Sequence, residues 1–256
     1  WPPGQDLVKL FLQKANKYGM RFYFGLYDSG KYWTNSHFEK EVDINKRVID
    51  EVWARYGHAP AFAGWYISQE ISRRISPIIG TYAQLGEHCK AVSGGLPVMI
   101  SPYIDGQKAL LSAENALTKA DAVSLQAHEQ EWNEILHGIH HTVDTVAFQD
   151  GHVDFHELKD YLHINKQLAD KYNMESWTNA ESFDRDMPIK FLPIKWEKLL
   201  IKLEAAAQAG IEKAITFEFS HFMSPHSAYP QAAHLFNRYC EHFGLGARSQ
   251  DFPSLV

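Results

Sequence analysis

The sequence has few cysteines, no cluster of basic residues and no long apolar run, and each shortage argues against a class of protein. Its two cysteines, Cys89 and Cys240, fall within helical patterns, which favours buried thiols over a disulfide framework. Acidic residues outnumber basic ones, 31 to 25, so we expect no nucleic-acid partner. No apolar segment approaches the roughly 20 residues that cross a bilayer, so we expect no membrane span.

Three motifs are also missing: a glycine-rich phosphate loop, a dinucleotide-binding fingerprint and a Gly-x-Ser-x-Gly elbow. Kinase, Rossmann and α/β-hydrolase interpretations therefore have no motif to support them. The chain begins at Trp1 with neither an initiator methionine nor a leader, which predicts a processed or trimmed chain. Aromatic residues, by contrast, are plentiful and make up 13% of the chain. Their rings suit a binding site for the flat apolar faces of a polar ligand.

Helical and strand-like patterns alternate along the 256 residues, which predicts one α/β domain over 1–256 with parallel strands and right-handed crossovers. The predicted helices cover 6–19, 43–57, 82–92, 129–140, 155–172, 194–209 and 231–243. The predicted strands cover 20–27, 62–67, 97–104, 143–149, 176–181 and 214–219, and 122–127 is either a short strand or a loop excursion.

Polar and aromatic residues follow nearly every predicted strand, and no glycine-rich loop does. This pattern favours a closed (β/α) barrel over an open doubly wound sheet. Because the predicted strands fall about two short of the eight in such a barrel, we predict a (β/α)8 TIM-type barrel that lacks its first two βα units or closes in an unusual way. The long loops 28–43 and 182–193 are predicted walls of a cleft.

Two predicted strands end in a glutamate. On the pleat of a strand, Glu70 shares a face with Tyr66 and Ser68, and Glu181 is in phase with Trp177 and Asn179. If two strands are missing at the front, these strands become the fourth and seventh of a barrel. Those positions carry the acid/base and the nucleophile in the retaining (β/α) barrel glycosidases, which this arrangement resembles.

Glycosidic cleavage explains why two carboxyl groups are needed. One donates a proton to the departing oxygen while the other, ionised, attacks or steadies the anomeric carbon. Structural roles are the alternatives. Glu70 could cap the following helix or pair with Arg73 or Arg74, and Glu181 could form a salt bridge with Arg185.

Other polar groups are predicted at the same end of the strands. Asp150 could be a third active-site carboxylate, or replace one of the two glutamates, although an Asp-Gly pair also makes a tight turn. Glu218 stands in an aromatic strand, so it either faces the site or is paired. The remaining predicted substrate-binding residues are Tyr66, Gln149, Trp177, Asn179, Tyr103 and Trp33.

Histidine is frequent, with 14 residues, and His152 and His156 have the spacing of a helical metal pair. A metal-dependent hydrolase using His152, Asp150 and a further histidine is therefore a minor alternative. His152 precedes the predicted helix start, however, so we expect neither a metal nor another cofactor.

Several short motifs run in order along nearly the whole chain: Lys17-Tyr-Gly-Met20, Gly25-Leu-Tyr27, Gly64-Trp-Tyr-Ile67 with Glu70, Ser101-Pro102, Gln149-Asp-Gly151, Trp177-Thr-Asn-Ala-Glu181 with Phe183, and Phe217-Glu-Phe-Ser220 with Met223-Ser224. With these motifs the chain resembles a bacterial family of glycoside-hydrolase-like TIM barrels that is filed as a domain of unknown function and often encoded near polysaccharide-processing genes. The resemblance implies two further strands at the front of the barrel and an exported protein, periplasmic or secreted. One departure is Gln69, because the acid/base of retaining glycosidases usually follows an asparagine.

The sequence therefore predicts a glycoside hydrolase that acts on an oligo- or polysaccharide by a retaining mechanism, with Glu70 as acid/base and Glu181 as nucleophile. The alternative from a different class is a non-catalytic carbohydrate-binding barrel, which would keep the aromatic cleft without the acid/base geometry.

Overall fold

The computed structural model describes residues 4–33, 35, 37–75, 77–106, 123–185 and 191–246. Its helices are α1 (Leu7–Lys17), α2 (Phe38–Tyr56), α3 (Ile78–Ser93), α4 (Leu125–Ile139), α5 (Phe155–Lys171), α6 (Trp196–Gln208), α7 (Phe219–Phe222) and α8 (Pro230–His242). Its strands are β1 (Phe22–Gly25), β2 (Phe62–Ile67), β3 (Val98–Ile100), β4 (Thr145–Gln149), β5 (Glu175–Glu181), β6 (Phe183–Asp184), β7 (Leu192–Pro193) and β8 (Ala214–Phe217).

Six of these strands form one sheet in the order β1-β2-β3-β4-β5-β8. The β1·β2, β2·β3, β3·β4 and β5·β8 pairs are parallel. Within this sheet, each strand therefore lies beside the sheet strand that comes before it in the chain. This is the order of a (β/α) barrel, whereas in a doubly wound sheet the strand order reverses partway across the sheet. The sheet is a partial (β/α)8 barrel, as the sequence predicts. Strands β6 and β7 pair separately in an antiparallel hairpin.

The chain divides into two compact units. Unit 1 consists of Trp1–Pro102, Gln130–Val146 and Leu168–Glu175, and unit 2 of Tyr103–Glu129, Ala147–Gln167 and Ser176–Val256. The single-domain assignment over 1–256 stays a prediction.

Each unit has its own apolar core. In unit 1, Trp65 on β2 is fully buried, and its ring centroid lies 4.9 Å from that of Phe62. In unit 2, Ala180 of β5 packs with Trp196 and Leu199 of α6 and Leu235 of α8. Strands β3 and β4 are buried along their whole length, as expected of parallel strands covered by helices on one face and packed side chains on the other. Each core holds the strand ends of its own unit in place.

Local signals explain several element boundaries. The Asp6 carboxylate accepts a hydrogen bond from the Lys9 amide at 2.9 Å and caps α1. Helix α8 begins at Pro230, since a proline at the first helical position needs no N–H partner. Cys89 and Cys240 are buried free thiols, as predicted.

Several boundaries differ from the prediction: α3 begins at Ile78 rather than at 82, and β3 covers only Val98–Ile100 of the predicted 97–104. Helix α2 begins at Phe38 rather than at 43, because Phe38 and Glu41 in its first turn are buried. Helix α4 already includes 125–127, so the predicted short strand over 122–127 is wrong there, and 122 lies outside the described residues. Strand β8 ends at Phe217, so Glu218 follows the strand instead of standing in it. None of the described helices is both long enough and apolar enough to cross a membrane.

Candidate functional site

Glu70 lies just beyond the carboxyl end of β2, in unit 1. The Tyr66 hydroxyl donates to Glu70 Oε1 at 2.6 Å, so the two side chains share one side of the chain, as the strand pleat predicts. The Glu70 side chain is half-buried.

Neither structural alternative for Glu70 is observed among the described residues. Arg73 binds the carboxylate of Glu131 at 2.5 Å, and Arg74 binds that of Glu134 at 3.1 Å. Helix α3 begins only at Ile78 and is preceded by Pro77 at its N-cap. Among the residues that the structure describes, the hydrogen-bond partner of the Glu70 carboxyl group is therefore a neutral hydroxyl rather than a cation.

Gln69, which precedes Glu70, is buried and bonded to protein groups. Its Nε2 donates to the Tyr27 carbonyl at 2.9 Å and to Glu41 Oε1 at 2.7 Å. The Tyr82 hydroxyl donates to the Gln69 carbonyl at 2.5 Å. Burial first, and then the charge of Glu70, raise the pKa of Tyr82. At the position where retaining glycosidases usually carry an asparagine, this chain thus has a glutamine whose side-chain nitrogen donates to two buried protein oxygens.

The loop that follows β1 carries Trp33, which is half-buried. Its indole Nε1 donates to Asp28 Oδ1 at 2.6 Å, which fixes the edge of the ring. The same Asp28 oxygen accepts from the Gly30 amide at 2.7 Å, so the loop is tied to itself. The role of Trp33 as a platform for a sugar face stays a prediction.

Glu181 ends β5 in unit 2 and lies in an ion pair. Arg185 binds its two carboxylate oxygens through Nε and Nη2, at 2.7 and 2.6 Å. The Glu181 side chain is only 3% exposed, and the Arg185 guanidinium lies over the rings of Phe183 and Phe191, at 5.0 and 5.7 Å. The salt bridge that the sequence offered as an alternative is therefore present.

Asp150 is buried beside Glu181 and pairs with Lys202. The Lys202 ammonium donates to Asp150 Oδ1 at 2.8 Å and to the Glu181 carbonyl at 3.0 Å. The Glu181 amide donates to the same Asp150 oxygen at 3.1 Å. Burial raises the pKa of Asp150, and the Lys202 charge opposes this rise without cancelling it. Asp150 thus holds the end of β5 in place.

Sequence reasoning missed Lys202. A usable signal was present, since Lys202 lies in the apolar stripe of α6 with Leu199 and Ala206, where a lysine is out of place unless it is paired. The side chain is 6% exposed.

The absence of a side chain at Gly151 leaves room for the Glu181 carboxylate. A β-carbon at position 151 would overlap the carboxylate of Glu181. The Val153 amide also donates to the Asp150 carbonyl at 3.1 Å, which closes a turn around Gly151. The Asp-Gly pair therefore makes the predicted turn and also places a carboxylate beside Glu181.

Three other predicted residues lie near the ends of β4 and β5. Asn179 is buried, and its carbonyl accepts from the Asp150 amide at 3.2 Å. The Gln149 carbonyl accepts from the Ile104 amide at 3.2 Å. Tyr103 forms a parallel bridge with Gln149, and its ring stacks on His152 at 5.5 Å.

Trp177 lies toward the other end of β5. The Lys213 ammonium is 5.0 Å from its ring centre, just ahead of β8. Four residues separate Trp177 from Glu181, which is about 13 Å of extended strand. Trp177 therefore does not join the group around Glu181.

Glu218 is paired, the second of the two outcomes that the sequence allowed. It is the N-cap of α7, where it accepts from the His221 amide at 3.1 Å and from the Ser220 hydroxyl at 2.5 Å, and its carboxylate also contacts the His221 ring. Partial burial acts to raise the pKa of Glu218, but the bonds from Ser220 and His221 outweigh it, and the pKa lies below its usual range.

The metal hypothesis named Asp150 and His152. Among the residues that the structure describes, the group whose carboxylate and imidazole atoms lie within 4.8 Å of one another is instead Asp154, His156 and Glu157. Asp150 is bound to Lys202. The proposed set of metal ligands is therefore not the set that the fold brings together.

The strand order defines a partial (β/α) barrel, and the structural comparisons place it among glycoside-hydrolase-like barrels. Residues 2–229 match DUF4434, a domain of unknown function, and the chain belongs to that family. It is 58% identical to a protein from Bacteroides thetaiotaomicron VPI-5482 whose crystal structure is described as that of a putative alpha-L-fucosidase. The match covers 96% of this chain and 74% of that one, with a TM-score of 0.89.

More distant structures share the fold alone. The endo-1,4-beta-D-mannanase of Thermotoga petrophila RKU-1 is 13% identical, with a TM-score of 0.53 over 82% of this chain and 67% of that one. The beta-D-glucuronidase of Dictyoglomus thermophilum is also 13% identical, with a TM-score of 0.50 over 86% of this chain and 37% of that one. No curated protein matches the chain significantly.

Proposed function

We propose that the protein is a glycoside hydrolase in which Glu70 is the general acid/base. The observation that carries the proposal is the setting of Glu70: a half-buried carboxyl group at the end of a barrel strand, bonded at 2.6 Å to a neutral tyrosine hydroxyl while the nearby arginines pair elsewhere. A carboxyl group without a cationic partner can carry the proton that a leaving oxygen needs. The 58%-identical relative supports α-L-fucosides as the first substrates to test.

We propose Glu181 as the nucleophile of a retaining mechanism, acting on an oligo- or polysaccharide. The contacts of its carboxylate set one requirement for this role. Each oxygen accepts one bond from Arg185, so attack on an anomeric carbon must use the remaining lone pair of one of them. Arg185 is 20% exposed and lies at one end of the β6–β7 hairpin, so a bound sugar has access to it.

The two roles are tested separately with aryl α-L-fucosides, other aryl glycosides and polysaccharides. Glu70→Gln should lower kcat by about 10²- to 10⁴-fold, the usual contribution of general acid–base catalysis. Glu181→Ala should be inactive and should regain activity with azide, which replaces the missing nucleophile and gives a glycosyl azide of inverted configuration. The exposed Glu212→Gln is the matched control.

The product anomer, followed by NMR during hydrolysis, separates retention from inversion. Full activity of Glu70→Gln would refute its role, and cleavage by Glu181→Ala without azide would refute the nucleophile assignment. If the wild-type protein cleaves none of these substrates, the hydrolase proposal fails.

A second candidate, a non-catalytic carbohydrate-binding barrel, is favoured by one observation. Glu181 is 3% exposed and both its oxygens are bound, as in a structural ion pair. Calorimetry that detects sugar binding without turnover, unchanged in Glu181→Gln, would support this function. In either case we propose that the protein works outside the cytoplasm, which cell fractionation would test.

A further inference from the structure

Glu41, in the first turns of α2, is fully buried, and its carboxylate accepts hydrogen bonds from neutral groups. The donors are the Ser29 amide at 3.2 Å, the Ser29 hydroxyl at 2.5 Å and Gln69 Nε2 at 2.7 Å. No lysine or arginine pairs with Glu41 within the part of the chain that the structure describes. A buried carboxyl group is therefore held inside unit 1 by a loop and by the end of a strand.

Asn45, one helical turn later, extends the same attachment. Its Nδ2 donates to the Tyr27 carbonyl and its Oδ1 accepts from the Tyr27 amide, both at 2.8 Å. Asn45 Nδ2 also donates to the Glu41 carbonyl at 3.0 Å. Helix α2 thus holds the loop after β1 at Tyr27 and at Ser29.

Gln69 connects this loop to β2. Its Nε2 lies between the Tyr27 carbonyl and the Glu41 carboxylate, while its own carbonyl accepts from Tyr82. Gln69 is therefore held through both its side chain and its backbone. Since Glu70 is the next residue, the position from which its side chain starts is fixed by the same bonds.

Stability alone is a weak reason for this arrangement. A buried carboxylate without a cation costs more to desolvate than an amide of the same shape, which could also bond to polar neighbours. What the charge adds is strong, directional acceptance of several donors at once, so it orients them more tightly.

We infer that Glu41 is a positioning residue for Glu70, acting through Gln69. The inference rests on the proposed role of Glu70 as a general acid. A misplaced acid impairs departure of a basic leaving group far more than departure of a nitrophenolate, which needs little protonation. A loss of folded protein would instead lower the rates of all substrates by the same factor.

The test compares Glu41→Gln with Asp43→Asn, which removes one charge from an exposed position of the same helix. Rates are measured on aryl glycosides of one sugar with increasingly basic leaving groups. We expect kcat of Glu41→Gln to fall about 10-fold or more for the most basic leaving group and about 2-fold or less for the nitrophenol, with Asp43→Asn unchanged. An equal loss across the series, or no loss, overturns the inference.

Hydrogen exchange followed by mass spectrometry gives a readout that needs no activity. In Glu41→Gln, peptides covering 26–30 and 68–71 should lose protection, while the rest of unit 1 keeps its rates. Unchanged protection there overturns the inference even if the hydrolase proposal holds. If the wild type cleaves nothing, the hydrolase proposal has failed by itself. If Glu41→Gln does not fold, Ser29→Ala, which removes one donor, should show the same leaving-group trend more weakly.

Discussion

The acidic residues of the candidate site differ between the two units in their electrostatic surroundings. In unit 1, Glu70 is bonded to a tyrosine hydroxyl, and Glu41 to a serine and an amide. In unit 2, Glu181 and Asp150 each pair with a cation. A hydroxyl or amide partner holds a carboxyl group by neutral hydrogen bonds, whereas a lysine or arginine partner holds it by shorter and stronger charge-assisted ones. The comparison shows that the chemistry of an acidic residue at a strand end depends on its hydrogen-bond and ion-pair partners.

The largest effect should come from removing an acid of unit 2. Asp150→Asn leaves the buried ammonium of Lys202 without its counter-charge, so we expect a loss of about 3 to 5 kcal/mol in the free energy of unfolding. The matched change in unit 1, Tyr66→Phe, removes one bond to Glu70 and should cost about 1 kcal/mol. Urea unfolding of both variants measures the difference, and equal losses would break the comparison.

The second prediction concerns two arginines. Arg185→Met leaves the Glu181 carboxylate buried without a partner, so we expect a loss of about 2 to 3 kcal/mol. Arg73→Met breaks a more exposed pair with Glu131 and should cost about 1 kcal/mol or less. Thermal unfolding distinguishes them. A smaller loss for Arg185→Met than for Arg73→Met would show that the unit 2 pair is not a buried one.

The space beside Glu181 gives the third prediction. Gly151→Ala places a methyl group where the carboxylate lies. We expect it to lower stability by about 1 to 3 kcal/mol and to disturb the bonds from Arg185. Gly80→Ala, on an exposed face of α3 with open space around it, should instead raise stability by about 0.5 to 1 kcal/mol. A neutral result for Gly151→Ala in chemical denaturation would contradict the crowded geometry.

The smallest effect is a pH dependence within unit 2. The pKa of Glu218 is lowered in the folded protein by Ser220 and His221 in spite of partial burial, so its stabilising contribution is complete above the unfolded-state pKa and is lost as the pH falls through the folded-state pKa. Glu218→Gln should therefore lose less stability than the wild type between about pH 5 and about pH 3. Urea midpoints across this range test it, and parallel profiles would refute it.

The sequence predicted most of the fold, because strand and helix periodicities are local. The alternation of elements, the six strands of the sheet and the shared side of Tyr66 and Glu70 follow from these patterns. The start of α2 was missed, since burial of its first turn depends on what packs against it. The ion pair of Glu181 with Arg185 was foreseeable as an alternative, because only four residues separate them.

What the amino-acid sequence by itself determined is therefore the order of elements and which acidic residues stand at strand ends. The tertiary structure alone decided which residues from distant parts of the chain become their partners. Asp150 meets a lysine 52 residues away, and Glu41 meets Gln69 at a separation of 28. Hydrogen bonds and ion pairs act over a few ångströms, so residues far apart in the chain become partners only when folding brings their elements together.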